Sequence, residues 1–165
     1  LATAMQFDTV LRQKDVIGEW EPIPPGEDES GIIFGGRRWV RGLTWAEVVL
    51  DGVTRKVTSK TGAIAAHDLR LCPHVQEVAA LIPPECRVGP LIIDEKAGRP
   101  YAEDAFSREW RKVARAAGIP DHVWNMHARA GAITEAEDAG ADLDEIRSAA
   151  GHSQASMTAR YSQGA

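Results

Sequence analysis

Asn125-Met126-His127-Ala128-Arg129-Ala130-Gly131, then Ala139-Gly140-Ala141-Asp142-Leu143, Gly151-His152-Ser153 and Arg160-Tyr161, form the stretch on which the fold of this chain turns. It supplies a guanidinium at Arg129, an imidazole at His152 and a phenol at Tyr161. Asp142 with Glu145 three residues on has the form of a capping box, so a helix is expected to begin there and bury Leu143, Ile146 and Ala150. Gly151 suits the end of that helix, His152 the bend, and Ser153 the cap of a last short helix carrying Tyr161. A phosphodiester in transition carries charge on its nonbridging oxygens, and breaking it is mainly positioning plus electrostatic stabilisation. An anion clamp, a polarisable donor and a phenol near helix ends are suited to that task.

Working outward, residues 4–20 read as one helix, with Met5, Val10, Val16 and Ile17 as core contacts and no glycine or proline before Gly18. Arg12 and Asp15 lie three apart on it, within Leu11-Arg12-Gln13-Lys14-Asp15-Val16-Ile17. Residues 21–36 are turn-rich and acidic (Pro22, Pro24-Pro25-Gly26, Glu27-Asp28-Glu29) and read as an exposed loop. Between Gly31 and Asp68 β-branched residues accumulate: Ile32-Ile33-Phe34, Arg38-Trp39-Val40, Val48-Val49-Leu50, 53–58 and Ala63-Ile64-Ala65. With turns at Asp51-Gly52 and Lys60-Thr61-Gly62, these predict a small antiparallel sheet. Val75, Val78, Ala79 and Ile82 repeat at the spacing of a helix face, ended by Pro83-Pro84. Leu91-Ile92-Ile93 reads as a short buried strand, followed by a turn over 96–100. A further helix is expected over 103–117, with Phe106, Trp110, Val113, Ala114 and Ala117 on its apolar side.

This text resembles the tyrosine recombinase or phage integrase family. The family signature runs from H-x-x-R through an Ala-Gly-x-Asp-Leu helix and Gly-His-Ser to a nucleophilic Tyr, and the C-terminal stretch fits it without insertion or deletion. Arg12 and Asp15 match the family's first motif, Leu43-Thr44-Trp45 its Leu-x-Trp element, and Ser59-Lys60-Thr61-Gly62 its Lys-Thr-Gly turn between two strands. The resemblance implies an α+β, mainly helical fold: a tyrosine recombinase catalytic domain with a small antiparallel β-sheet packed on a helical core. On this basis residues 1–165 are one catalytic domain with an insertion at about 21–42. The family's N-terminal core-binding domain and C-terminal tail are expected to lie outside this text.

The resemblance also implies a chemistry. Arg12 and Arg129 would clamp the phosphate with paired hydrogen bonds, and His152 would add a third. Tyr161 would attack, leaving a 3′-phosphotyrosyl ester, and Lys60 would protonate the departing 5′ hydroxyl. Asp15 would support the clamp. No cofactor, metal or ATP is implied, because the covalent ester conserves the phosphate energy for rejoining. The implied partner is double-stranded DNA, bound by a monomer or weak dimer that becomes a tetramer on synapsed sites. One position departs from the pattern: Met126 stands where the family has the His that handles the tyrosine's proton, and a thioether cannot do so. His127, Asn125 or water is left to cover that loss, and the expectation is a slowed but competent enzyme. A degenerate DNA-binding module, a nicking and relaxing topoisomerase-like enzyme and a protein-interaction domain remain as alternatives.

Composition bounds these readings. A chain of 165 residues with 44% apolar side chains can bury one core. No apolar run approaches the ~20 residues needed to span a bilayer. The reading is therefore of a cytoplasmic protein, bacterial or phage-encoded. Cys72 and Cys86 have no C-x-x-C partner, and a ligand set of Cys72, His74 and Cys86 is weaker than ordinary thiols. The net charge of −5 speaks mildly against a nucleic-acid partner, yet much of the acid is segregated and leaves Arg37-Arg38, Arg41, Arg55-Lys56 and Lys60 in a basic middle.

Overall fold

The structure is a computed structural model that describes residues 1–142 together with Asp144 and Ile146. His152 and Tyr161, like Leu143 and Ala150, lie outside the described residues.

The helix expected over 4–20 is broken in two. Helix α1 spans Ala2–Asp8 and α2 spans Gln13–Ile17. Thr9 turns its hydroxyl back onto the Met5 carbonyl, and Val10 adopts φ 54°, which a β-branched residue rarely tolerates. Chain direction therefore changes just before Arg12, which becomes the extended residue at the start of α2. Met5, Leu11, Val16 and Ile17 are still fully buried, and they pack with Leu43, Leu69 and Val75 in the main core.

The segment expected as a loop, 21–36, is strand only at its two ends. Strands β1 (Glu19–Pro22), β2 (Ile33–Phe34) and β3 (Arg37–Val40) form an antiparallel sheet in the order β1-β3-β2, with Glu19 opposite Val40 and Trp20 opposite Trp39. Gly35 and Gly36, both at positive φ, make the two-residue turn between β2 and β3. Strands β2 and β3 fall on the expected runs Ile32-Ile33-Phe34 and Arg38-Trp39-Val40, whereas β1 takes residues assigned to the first helix and the loop. The Trp39 indole holds this sheet to the core: its Nε1 donates to the Ile17 carbonyl at 3.0 Å, and it lies against both Gly18 and Gly42, where a Cβ on either would land inside the ring.

A separate hairpin pairs β4 (Val53–Val57) with β5 (Ile64–Asp68), Val57 opposite Ile64. The one sheet expected is thus two. Thr54 and Lys56 point inward from β4, Ala65 and His67 from β5. Lys56 is buried because its ammonium has partners, the Gly42 carbonyl at 2.8 Å and Glu47 at 3.5 Å. Val48-Val49-Leu50 is not a strand, and neither is Leu91-Ile92-Ile93, which lies between isolated bridges at Pro90 and Asp94 with the Leu91 N–H on the Leu43 carbonyl.

Helix α3 (Pro73–Ala80) buries Val75 and Ala79, and α4 (Glu103–Ala116) buries Phe106 and Ala114. Val113 and Ala117, expected on the apolar side of α4, are exposed. Helix α5 spans His127–Asp138. Past it, Asp142 accepts the Asp144 N–H at 2.8 Å and the Ile146 N–H meets the Asp142 carbonyl at 3.0 Å, the expected helix start. Ile146 packs on Ile133. None of the described helices is long and apolar enough to cross a membrane.

Candidate functional site

Five of the sequence-predicted residues wall one cleft of about 600 Å³. Arg12, Lys60, Met126, His127 and Arg129 line it, joined by Gln6, Gln13, Lys14, Ser59, Glu103 and Ala130.

Arg129 enters from α5 and is buried; its Nη1 donates to the Val10 carbonyl at 2.5 Å. The left-handed turn at Val10 is what aims that carbonyl, so backbone strain on the far side of α1 helps to fix the guanidinium. Arg12 enters from the start of α2, and its Nη1, shielded from solvent, makes no hydrogen bond among the described residues. A guanidinium with donors to spare at a cleft wall can offer them to an anion.

Asp15 joins these elements. It is completely buried, its Oδ1 accepts the Ser59 N–H at 2.6 Å, and its Oδ2 lies 3.9 Å from Arg12 Nη1. One carboxylate therefore ties α2, Arg12 and the loop that presents Lys60. Thr58 and Thr61 close the loop from within, their hydroxyls 2.8 Å apart, and Gly62 at φ 67° completes the turn. Lys60 stands exposed at its tip and makes no recorded bond among the described residues.

His127 is at the head of α5, and its Nδ1 accepts the Trp124 N–H at 3.2 Å. That bond leaves the proton of the neutral ring on Nε2. Asn125 does not cover for Met126: its Oδ1 takes the Gln6 amide at 2.6 Å and its Nδ2 reaches the Thr3 hydroxyl at 3.0 Å, so its side chain is committed to α1. Met126 itself is 65% exposed.

Lys14, Gln6 and Glu103 were not singled out from the sequence. Lys14 follows the clamp by two residues and meets Glu19 at 2.9 Å and Glu103 at 3.8 Å, bonds that raise its pKa above the ordinary lysine value. A lysine two residues beyond the clamp arginine was the available signal; Glu103 and Gln6 had none. His74 lies elsewhere, its Nδ1 2.6 Å from Asp8, a partner that raises its pKa. Cys72 is buried and Cys86 exposed.

The sequence model described as "Phage integrase family" matches residues 40–165, over three quarters of the chain and including the text from Arg129 to Tyr161. Solved structures share the fold. A XerA recombinase aligns with TM-score 0.63 at 13% identity, over 96% of this chain and 50% of that one. A lambda integrase dimer bound to a COC′ core site aligns with TM-score 0.62 at 15% identity, over 98% of this chain and 50% of that one. A Tn1549 transposon integrase in complex with circular intermediate DNA aligns with TM-score 0.60 at 13% identity, over 97% and 53%. This chain thus spans about half the length of the structures it matches. No curated protein matches it in sequence.

Proposed function

Since the chain belongs to the phage integrase family, we propose that it is a site-specific DNA recombinase that cleaves and rejoins strands through a 3′-phosphotyrosyl intermediate. One observation carries this reading: Arg12, Lys60 and Arg129, remote in sequence, line a single cleft.

In this scheme the scissile phosphate lies between Arg12 and Arg129, whose fixed charges offset the growing charge on its nonbridging oxygens. Attack by the Tyr161 oxygen forms the phosphotyrosine bond as the bond to the 5′ oxygen breaks, and the Lys60 ammonium gives that oxygen its proton. His152 supplies a further hydrogen bond to the phosphate. The phenol's own proton leaves through water or the Nε2 side of His127, because Met126 cannot accept it.

Incubation with duplex DNA from the flanks of the coding locus, nicked so that the released strand diffuses away, should trap a protein-linked strand. Tyr161→Phe should abolish the adduct, and Arg12→Ala or Arg129→Ala should slow it by about 10²- to 10³-fold, as for loss of other transition-state donors. A Tyr161→Phe variant that still forms the adduct would overturn the scheme. A second reading, a DNA-binding module without cleavage, is favoured by the exposed thioether of Met126 where a proton carrier is needed. Its signature is specific binding with no adduct from the parent.

A further inference from the structure

Beside the phosphate cleft lies a smaller hollow of about 200 Å³, lined by Gln13, Glu103, Ser107, Trp110, Trp124 and Met126 among others. Gln13, Glu103 and Met126 border both spaces, so the two are neighbours. Trp124 is 54% and Met126 65% exposed, an apolar surface at the rim of a charged cleft. Such a surface, rimmed by polar groups, marks a contact site more often than chance.

The indoles are fixed without any ligand. The Arg111 guanidinium lies 5.1 Å from the Trp110 ring and 5.0 Å from the Trp124 ring, and donates to the carbonyls of Pro120 and Val123. Trp110 Nε1 donates to Thr3 at 3.0 Å. A ligand stacking on Trp124 therefore meets a surface already ordered.

The lining chemistry suits a flat heterocycle. An indole and a thioether offer a polarisable surface, while an amide, a hydroxyl and a carboxylate offer donors and acceptors to a ring's edge. The volume is several times the ~30 Å³ share of one water and accommodates a single ring system. Adjacency to the cleft of the two guanidiniums selects among heterocycles, because a nucleobase is tethered through its sugar to the phosphate of the proposed scheme.

We propose that this hollow receives one unstacked nucleobase of the strand whose phosphate lies between Arg12 and Arg129, with Trp124 as the stacking surface. The inference rests on the DNA reading above and adds to it a substrate class: DNA carrying an unpaired base beside the held phosphate. A base without a pairing partner is the one most easily turned out of the stack.

The test uses two duplexes of identical sequence around one 2-aminopurine, paired in the first and left unpaired as a bulge in the second. The parent should bind the bulged duplex about tenfold more tightly, the scale of one base stacked on an aromatic ring. The emission of 2-aminopurine should fall on binding. Trp124→Ala should remove both the preference and the quenching while the paired duplex is bound as by the parent, and Trp124→Phe should restore most of each. Arg129→Ala should weaken both duplexes alike. Equal binding of the two duplexes by the parent, or a preference that survives Trp124→Ala, overturns the nucleobase slot and leaves the DNA reading standing. A parent that binds neither duplex removes the DNA reading itself.

Discussion

Asp15 is a buried carboxylate with two obligations, the Ser59 amide and the Arg12 guanidinium. Asp15→Ala leaves the buried Ser59 N–H without its acceptor and Arg12 without its ion pair, and should lower unfolding free energy by about 3 kcal/mol in urea titration. Asp15→Asn keeps an acceptor for Ser59 but turns an N–H toward Arg12, so it should recover stability more than adduct formation. Equal losses of both in the two variants would mean that the carboxylate serves packing alone. Met126→His tests the departure in the motif: adduct formation should quicken by about 10²-fold if a proton carrier is limiting there. Unchanged timing would place the slow step elsewhere. Arg12, Asp15, Lys60 and Arg129 were legible as residues because their types and spacing carry the family pattern. The Val10 carbonyl that holds Arg129, and the Thr3–Asn125–Gln6 network that occupies Asn125, were not, because each depends on contacts more than a hundred residues apart in sequence.

Among the elements, the β4–β5 hairpin and helices α3 and α4 follow from alternation, helical spacing and proline stops. The first helix did not, since nothing local marks Val10 as left-handed; the break is imposed by what Leu11 and Arg129 require on either side. Of the β1–β3 sheet, β2 and β3 follow from their β-branched and aromatic runs, while β1 was masked by its own Pro22 and by Pro24-Pro25 and the acidic run, which form the connection between β1 and β2. Its attachment yields a test: Gly42→Ala places a methyl in the Trp39 ring, and overpacking of this kind costs typically 1–3 kcal/mol. Thermal unfolding should show that loss for Gly42→Ala. Gly26→Ala has open space but sits at φ 85°, so any loss there would report backbone strain alone.

At the scale of the whole molecule, the pH dependence of unfolding should carry the mark of one buried imidazole. His67, 9% exposed on the inner face of β5 with its Nε2 unpartnered, has its pKa lowered from 6.5 to about 4 by burial. The unfolded chain takes up this proton between pH 6.5 and 4 and the folded chain does not, so stability is complete above about 6.5 and falls as pH drops toward 4. Integrated over that window the loss is about 3 kcal/mol. Urea titrations from pH 7 to 4 should show the slope, and His67→Leu should flatten it; an unchanged slope would assign the effect to carboxylates. Overall architecture was legible because the motifs span the chain, whereas the division into two sheets was not, since β-branched runs specify strands but not which strands pair.

Gly18 and Gly42 stand at the two ends of the β1–β3 sheet, and a Cβ on Gly42 would fall 2.7 Å from the Gly18 nitrogen, while the Leu43 N–H already bonds to the Val16 carbonyl at 3.1 Å. The polypeptide leaves the body and returns to it at one doorway. A segment with such a threshold can vary in length at its far end, around Gly26 where an added Cβ would meet nothing within 4 Å, while Trp39 and Trp20 keep its near end moored to Ile17, Pro100 and Tyr101.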